Sequence, residues 1–468
     1  MSLKSALAVA AAGAVAAVGL SAGPAAAATT MSVALPFSNY AGMLVDPAHQ
    51  HLFVTGGAGS SSILVTDYSG QTVATIPSEP GASGLALSGD GSTVYVALAG
   101  GNAISAISAS TLTETARYAT GAGTDPAYVA YSGGKIWFGY GPSGGPAGIG
   151  SVDPGTSPAT VTLNATNDPI NTWYSAPELA ASPAGDLVAG QPGGISTLEL
   201  ASYDVSTGTA STLTPQTRPL NYAGLERMQI TPDGTDVAVA TGAGSPASLT
   251  IFRVSDLSVA GAYPTGPFTA AVAMASDGTV AAGTSESGPP GSEVYLFAPG
   301  GSTPLDTYNL GSHPLIDLAL SPDASELFAV SLAGVTVGGR PPTVTKHYAL
   351  TIITDPVQSP STLTLAGPDA AVKHGTPVTL TGTLDGPAPY TGGQTLTVTR
   401  TDSAEPDGVA LPDVTTAADG SFTITDTPPK MHANQGIVTY QFSYAGDPHL
   451  AGSSATFLVT VQPGNGNS

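Results

Sequence analysis

The sequence predicts an all-β chain on three observations. First, a short phrase recurs about seven times between residues 42 and 331: a few apolar residues, a tight turn, then a second apolar run. It reads LVDPAHQHLFV, LALSGDGSTVYVA, VAYSGGKIWFG, LAASPAGDLVAG, MQITPDGTDVAVA, VAMASDGTVAAG and LALSPDASELFAV. The second turn residue of each is Pro47, Gly89, Gly133, Pro183, Pro232, Ser276 and Pro322, so the period runs from 42 to 50 residues. Several short strands per unit at that period is the pattern of propeller blades. Second, the residues four, three and two before each turn marker alternate in size, as in Leu85-Ala86-Leu87 and Leu318-Ala319-Leu320. That is the period of a strand with two different faces. Third, after Asp355-Pro356 the period stops and threonine-rich alternating segments follow: STLTLAG, TPVTLTGTL, QTLTVTRTD, DGSFTITD, GIVTYQFSYAGD and SSATFLVTV. Six or seven short strands in roughly 105 residues suit a β-sandwich. The expected architecture is a seven-bladed β-propeller over 31–357, a sandwich over 358–464 and a short tail over 465–468.

The second unit shows how one blade is built. Leu85 to Ser88 form a strand, Gly89-Asp90-Gly91 turn the chain, and Thr93 to Leu98 return. Gly100-Gly101-Asn102 lead into Ala103 to Ile107, and Thr113 to Ala119 make the outer strand. The last unit has three strands of its own, at about Leu315 to Leu320, Glu326 to Leu332 and Tyr348 to Thr354. Its outer strand is expected from Met31 to Phe37, a pairing that removes the sheet edges an open ring leaves exposed.

Residues 1–28 read as a secretory signal: Lys4, an apolar stretch from Ala6 to Leu20, and a small-residue cleavage site at Ala26-Ala27-Ala28. No later segment has the uninterrupted apolar length of a membrane span. The expected location is therefore outside the cell, secreted or wall-associated, with no transmembrane anchor. With no cysteine, each domain is held by its core rather than by disulfides. Asp and Glu number 33 against 11 Lys and Arg, a net charge of −22. Such a surface repels phosphate backbones, which disfavours nucleic acid and anionic lipid as partners. An extracellular glycan or protein is the expected partner.

The second and fifth units, SGDGSTVYVALAGGNAISAISASTLTETARYATG and TPDGTDVAVATGAGSPASLTIFRVSDLSVAGAYPTG, resemble the YVTN-type repeat, with its Asp-Gly-like turn ahead of an apolar strand. The resemblance covers residues 31 to 357 and implies architecture only, because lactonases, a lyase, quinoprotein dehydrogenases and binding proteins share that propeller. The ending VTYQFSYAGDPHLAGSSATFLVTV resembles bacterial Ig-like repeats of cell-surface proteins. The composition resembles that of exported proteins from high-GC actinobacteria.

In a propeller the loops entering the inner strands converge on the channel mouth. Here they bring Tyr40, Glu79, Asp125, Trp173, Tyr174, Asn221, Tyr222, Glu226, Arg227, Phe268 and His313. Aromatic surface beside a few polar groups is the make-up of a ligand pocket. Two roles fit these aromatics: a ligand surface, or wedges that cap the ring between blades. Five residues before the turn marker, the inner strand carries Tyr128, Glu178, Arg227 and Asp317, where other units have Gly42, Gly84 and Ala271. Glu178 and Arg227 fall in consecutive units, so an ion pair between them is expected. No DxDxDG or HExxH motif and no cofactor motif is present, and His49 and His51 form a lone HxH beside a turn, expected to face solvent. The preferred function is non-catalytic binding or surface interaction, with a glycan, a cell-wall component or a protein held at the channel face. The alternatives are an enzyme of lactonase or lyase type and a structural surface protein without a specific ligand.

Overall fold

The computed structural model describes residues 21–22, 28–169, 172–193, 197–217, 222–242, 247–285, 292–311, 314–338, 343–403, 405–428 and 436–462. The expected signal segment lies outside them, apart from the backbone of Ser21–Ala22, which pairs with Ser454 and Ser453, and Ala28. No α-helix occurs among the described residues, and no helix is long and apolar enough to cross a membrane. The chain divides into two compact units, Ala28–Val357 and Met1–Ala27 with Gln358–Ser468.

Among the described residues the larger unit contains seven four-stranded antiparallel sheets, A to G in chain order. Their inner strands are Gly42–Asp46, Ala82–Leu87, Tyr128–Ser132, Glu178–Ala181, Arg227–Ile230, Thr269–Met274 and Leu315–Leu320. Six of the sheets add their strands outward in sequence order. Sheet G instead takes its outer strand from the N-terminal side: Thr29–Leu35 pairs with Thr343–Thr354, from Thr29 opposite Thr354 to Leu35 opposite Tyr348. Each inner strand touches the next, and Leu315–Leu320 touches Gly42–Asp46, so the sheets form a closed, propeller-like ring.

The second strand of each sheet is buried on both faces, as in His51–Thr55 and Asp236–Ala240, which explains runs of consecutive apolar residues. The core lies between neighbouring sheets. Phe53, Ile63 and Val65 of A pack on Val94, Val96 and Leu98 of B. At the seam, Phe328, Leu350 and Ile352 of G pack with Leu35 on Leu52, Val54 and Leu64 of A. Each such side chain contributes roughly 1.5–3 kcal/mol by leaving water, so closure is stabilised by the same force as every other blade contact.

Hairpin turns of the repeated phrase are fastened by aspartates. Asp90 accepts hydrogen bonds from the hydroxyls of Ser88 and Ser92 at 2.7 and 2.8 Å, and from the Ser92 N–H. Asp233 does the same for Thr231 and Thr235, and Asp323 for Ser321 and Ser325. These bonds favour the carboxylate: Asp90 is pulled down to about 2, first by the Ser88 hydroxyl, and Asp233 and Asp323 are lowered too. Part of the chain's acidity is therefore turn chemistry. Glycine serves the remaining turn demands: at Gly133 the backbone has φ +59 and a Cβ would stand 1.9 Å from the Val205 carbonyl oxygen.

His49 faces solvent as expected, and its Nδ1 bonds the buried Asp46 carboxylate at 2.8 Å; His51 is half-buried, and the two rings stack at 5.8 Å. The adjacent turn folds His49 back onto Asp46, which also accepts the Ala48 N–H.

The smaller unit has two sheets. Val378–Asp385 lies between Thr362–Ala366 and Ser421–Asp426 in one, and the other orders Ala451–Gln462, Gly436–Gly446, Thr395–Thr401 and Val409–Thr415. Strict alternation along Ala451–Gln462 buries one face, and Phe422 of the first sheet meets Phe442 of the second with ring centroids 5.4 Å apart. At its margin Arg400 and Tyr440 both bond Asp426, at 3.0 and 2.8 Å.

Candidate functional site

The departures from the repeat meet on the axis of the ring. Tyr128, Glu178, Arg227 and Asp317, with Gly42 and Gly84, line a cavity of about 390 Å³ walled by the inner strands. All occupy the inner-strand tier five residues ahead of the turn marker. Small residues in that tier have two separate causes. At Gly84 the strands of B and C approach so closely that a Cβ would stand 2.7 Å from Tyr128 Cα. At Ala271, in sheet F, the side chain is fully buried in the apolar core with Leu315 and Leu318 of sheet G.

Arg227 Nε reaches Asp317 Oδ1 at 3.5 Å, two sheets away, and its Nη1 donates to the Glu226 carbonyl oxygen at 2.8 Å. The expected partner was Glu178. Among the described residues the ion pair is made with Asp317 instead, because Glu178 turns to the backbone: its Oε1 accepts the Met228 N–H at 3.1 Å. Tyr40 arrives from the loop before sheet A and donates its hydroxyl to Asp317 Oδ2 at 2.8 Å. Asp317 is thus held from two sides.

The second Glu178 oxygen, Oε2, is buried with no hydrogen-bond partner among the described residues, in a side chain only 6% exposed. Burial pushes the carboxyl up to about 7, against the pull of Arg227 and the Met228 N–H. Burial likewise raises Tyr128 and Tyr40, with the neighbouring carboxylates adding to it. For Arg227 burial works against the charge, and Asp317 and Glu178 more than offset it, so the guanidinium is held above its ordinary value. The site thus presents a fixed cation, a carboxyl that titrates near neutral pH, and phenol hydroxyls that stay protonated.

The other sequence candidates stand elsewhere. Glu79 is buried beside sheet B, bonded by Ser105 and Arg117 at 3.3 and 3.2 Å, and burial raises it to about 7. Trp173 is 1% exposed and donates to Asp168, which also accepts the Tyr203 hydroxyl at 2.9 Å. It pins its own loop rather than facing the channel. Tyr174 next to it is 56% exposed, with Gly144 donating to its carbonyl at 2.8 Å. Tyr222 packs edge-on against Phe252, centroids 5.3 Å apart, and Glu226 stands on the exposed rim. Asp125 and Phe268 are half-buried loop residues with positive φ, 42 and 63. Asn221 and His313 lie outside the described residues. Loop position did not single out Asp168 and Tyr203, and no spacing in the sequence joins them to Trp173. Among the described residues no group of three or more metal-ligating side chains is assembled.

No family model matches the chain. No curated protein matches it by sequence. Its fold is similar to the β-propeller domain of Myceliophteria thermophila Cps50 (Swd1), at 11% identity and TM-score 0.50, covering 69% of this chain and 99% of that one. Hydrazine synthase of Kuenenia stuttgartiensis gives 16% identity and TM-score 0.48 over 64% and 94%. PorZ of Porphyromonas gingivalis, a bacterial surface component of the type-IX secretion system, gives 14% and 0.49 over 90% and 59%. At these identities the likeness speaks for fold alone, and the first of the three supports a β-propeller.

Proposed function

We propose that the chain is a secreted binding protein, a seven-bladed YVTN-type propeller followed by a bacterial Ig-like domain, whose channel takes the end of a neutral glycan. The observation that carries this reading is the buried, unpartnered Oε2 of Glu178 in the cavity it shares with Arg227 and Tyr128. A buried polar atom without a partner is costly, and a ligand hydroxyl supplies what it lacks. A hydroxyl both donates and accepts, so it suits a carboxyl that titrates near neutrality. The surface charge of −22 favours a neutral ligand over an anionic one. Catalysis of lactonase or lyase type is the second reading, favoured by a Glu178 carboxyl raised to about 7, the range of a general acid or base. It is the weaker one, because Asp317 is already committed to Arg227 and Tyr40.

Isothermal titration of the mature chain with a panel of neutral oligosaccharides tests the binding reading, and hydrolysis of a lactone series tests the other. Saturable heat with one oligosaccharide, lost in Glu178→Met, is the expected result. Lactone turnover lost in Glu178→Gln would overturn the preference.

A further inference from the structure

A second cleft, of about 710 Å³, opens between sheets E and F, apart from the channel cavity. Its floor is apolar, formed by Ile251, Met274 and Val280. Its rim carries Asp233, Asp236 and Asp277, and no Lys, Arg or His lines it. The cleft exists because the outer strand of E, Val259–Tyr263, reads Val-Ala-Gly-Ala-Tyr. At Gly261 a Cβ would meet nothing within 4 Å, so the glycine leaves space unfilled. The corresponding strand of sheet B, Glu114–Ala119, carries Glu114 and Arg117, whose side chains bond each other and whose guanidinium reaches back to Ser78 and Glu79.

The rim charges are fixed in place. Asp233 is held by Thr231 and Thr235, and Asp277 by the N–H and hydroxyl of Thr279 at 2.9 Å each. Asp236 is raised by burial and by the charge of Asp233, so a cation brought beside it is favourable. Arg253, opposite Asp236 in the sheet, opposes that rise from the adjoining cleft, which Asp233 and Asp236 also line, and does not line this one.

We infer that this cleft receives an extended basic segment of a partner protein, with an Arg or Lys stem lying along Ile251, Met274 and Val280 and its charge at Asp233, Asp236 and Asp277. Arg and Lys side chains have that shape, an apolar stem ending in a cation, and the pairing with carboxylates is charge-assisted. The inference is independent of the channel reading.

The test is fluorescence anisotropy of the full chain with three labelled, capped octapeptides alternating leucine with arginine, serine or glutamate. The arginine peptide should bind at least about tenfold more tightly than the other two, and more weakly as salt rises. Gly261→Leu, which fills the cleft, and Asp236→Asn should each weaken it about fivefold or more without lowering the melting midpoint. Equal binding of the arginine and serine peptides would overturn the inference. So would wild-type affinity in Asp236→Asn and in a folded Gly261→Leu, because binding would then follow net charge alone. If Gly261→Leu does not fold, Asp236→Asn decides.

Discussion

Replacing Glu178 by glutamine should change the pH dependence of stability more than stability itself. The glutamine keeps an oxygen for the Met228 N–H, which Glu178 Oε1 accepts at 3.1 Å, and removes only the ionisation. The Glu178 carboxyl is pushed from its ordinary 4.5 to about 7 by burial. In the folded state it therefore holds its proton through a range where the unfolded chain has lost it. The stability linked to that proton is fully present below pH 4.5 and is lost as pH rises through about 7. At 1.36 kcal/mol per pH unit the ionised carboxylate costs about 3 kcal/mol by pH 8. Over a unit of this size, with about 2.1 cal/mol/K of unfolding entropy per residue, that is ~4 °C of melting midpoint. Calorimetric scans of both proteins at pH 4.5 and pH 8 give the measurement. Glu178→Gln should match the wild type at pH 4.5 and melt several degrees higher at pH 8. A variant less stable than the wild type at pH 8 would refute the reasoning, since the ionised carboxylate would then be repaid by Arg227.

Arg227→Ala should destabilise the larger unit by about 2 kcal/mol in urea titrations, between the values for surface and buried ion pairs, because Asp317 loses its cation and keeps only the hydrogen bonds from Tyr40 and the Leu318 N–H. An unchanged midpoint with lost ligand binding would reverse that assignment. On the acid side, the turn carboxylates with lowered pKa, among them Asp90 at about 2 and Asp233, contribute stability above their unfolded pKa that is lost as pH falls through the folded one. Stability should peak between those limbs, and Asp90→Asn should flatten the acid limb of a melting-versus-pH profile. Asp168→Ala removes the acceptor of both Trp173 Nε1 and the Tyr203 hydroxyl and should cost about 2 kcal/mol. Greater acrylamide quenching of tryptophan emission would report the loosened loop, and unaltered quenching would count against its pinning role.

The repeated phrase was the legible part of the fold, because a turn flanked by apolar runs leaves a mark in every unit. Its aspartates, serines and threonines proved to be the fasteners of those turns. Comparison of the units at one position also exposed Tyr128, Glu178, Arg227 and Asp317, since a charged or aromatic side chain in place of glycine or alanine is visible without coordinates. Which of them pair was not visible. Arg227 reaches past sheet F to Asp317, and only the ring geometry brings residues 90 positions apart within 3.5 Å. Trp173 looked like channel surface because its loop leads into an inner strand. Asp168, on the same loop, draws it inward, and nothing in the spacing marks that bond. The E–F cleft was equally invisible: it arises from an absent side chain at Gly261 and from aspartates that look like ordinary turn residues.

The central claim is that the unmet Glu178 oxygen marks a ligand site in the channel. Its most direct test is the melting midpoint of the protein across a concentration series of neutral oligosaccharides, for the wild type and Glu178→Met. Ligand at 100 times its dissociation constant adds about 2.7 kcal/mol to the native state. The account predicts a rising midpoint for the wild type with at least one oligosaccharide and none for Glu178→Met. A flat response in both proteins, or an equal rise in both, would contradict it.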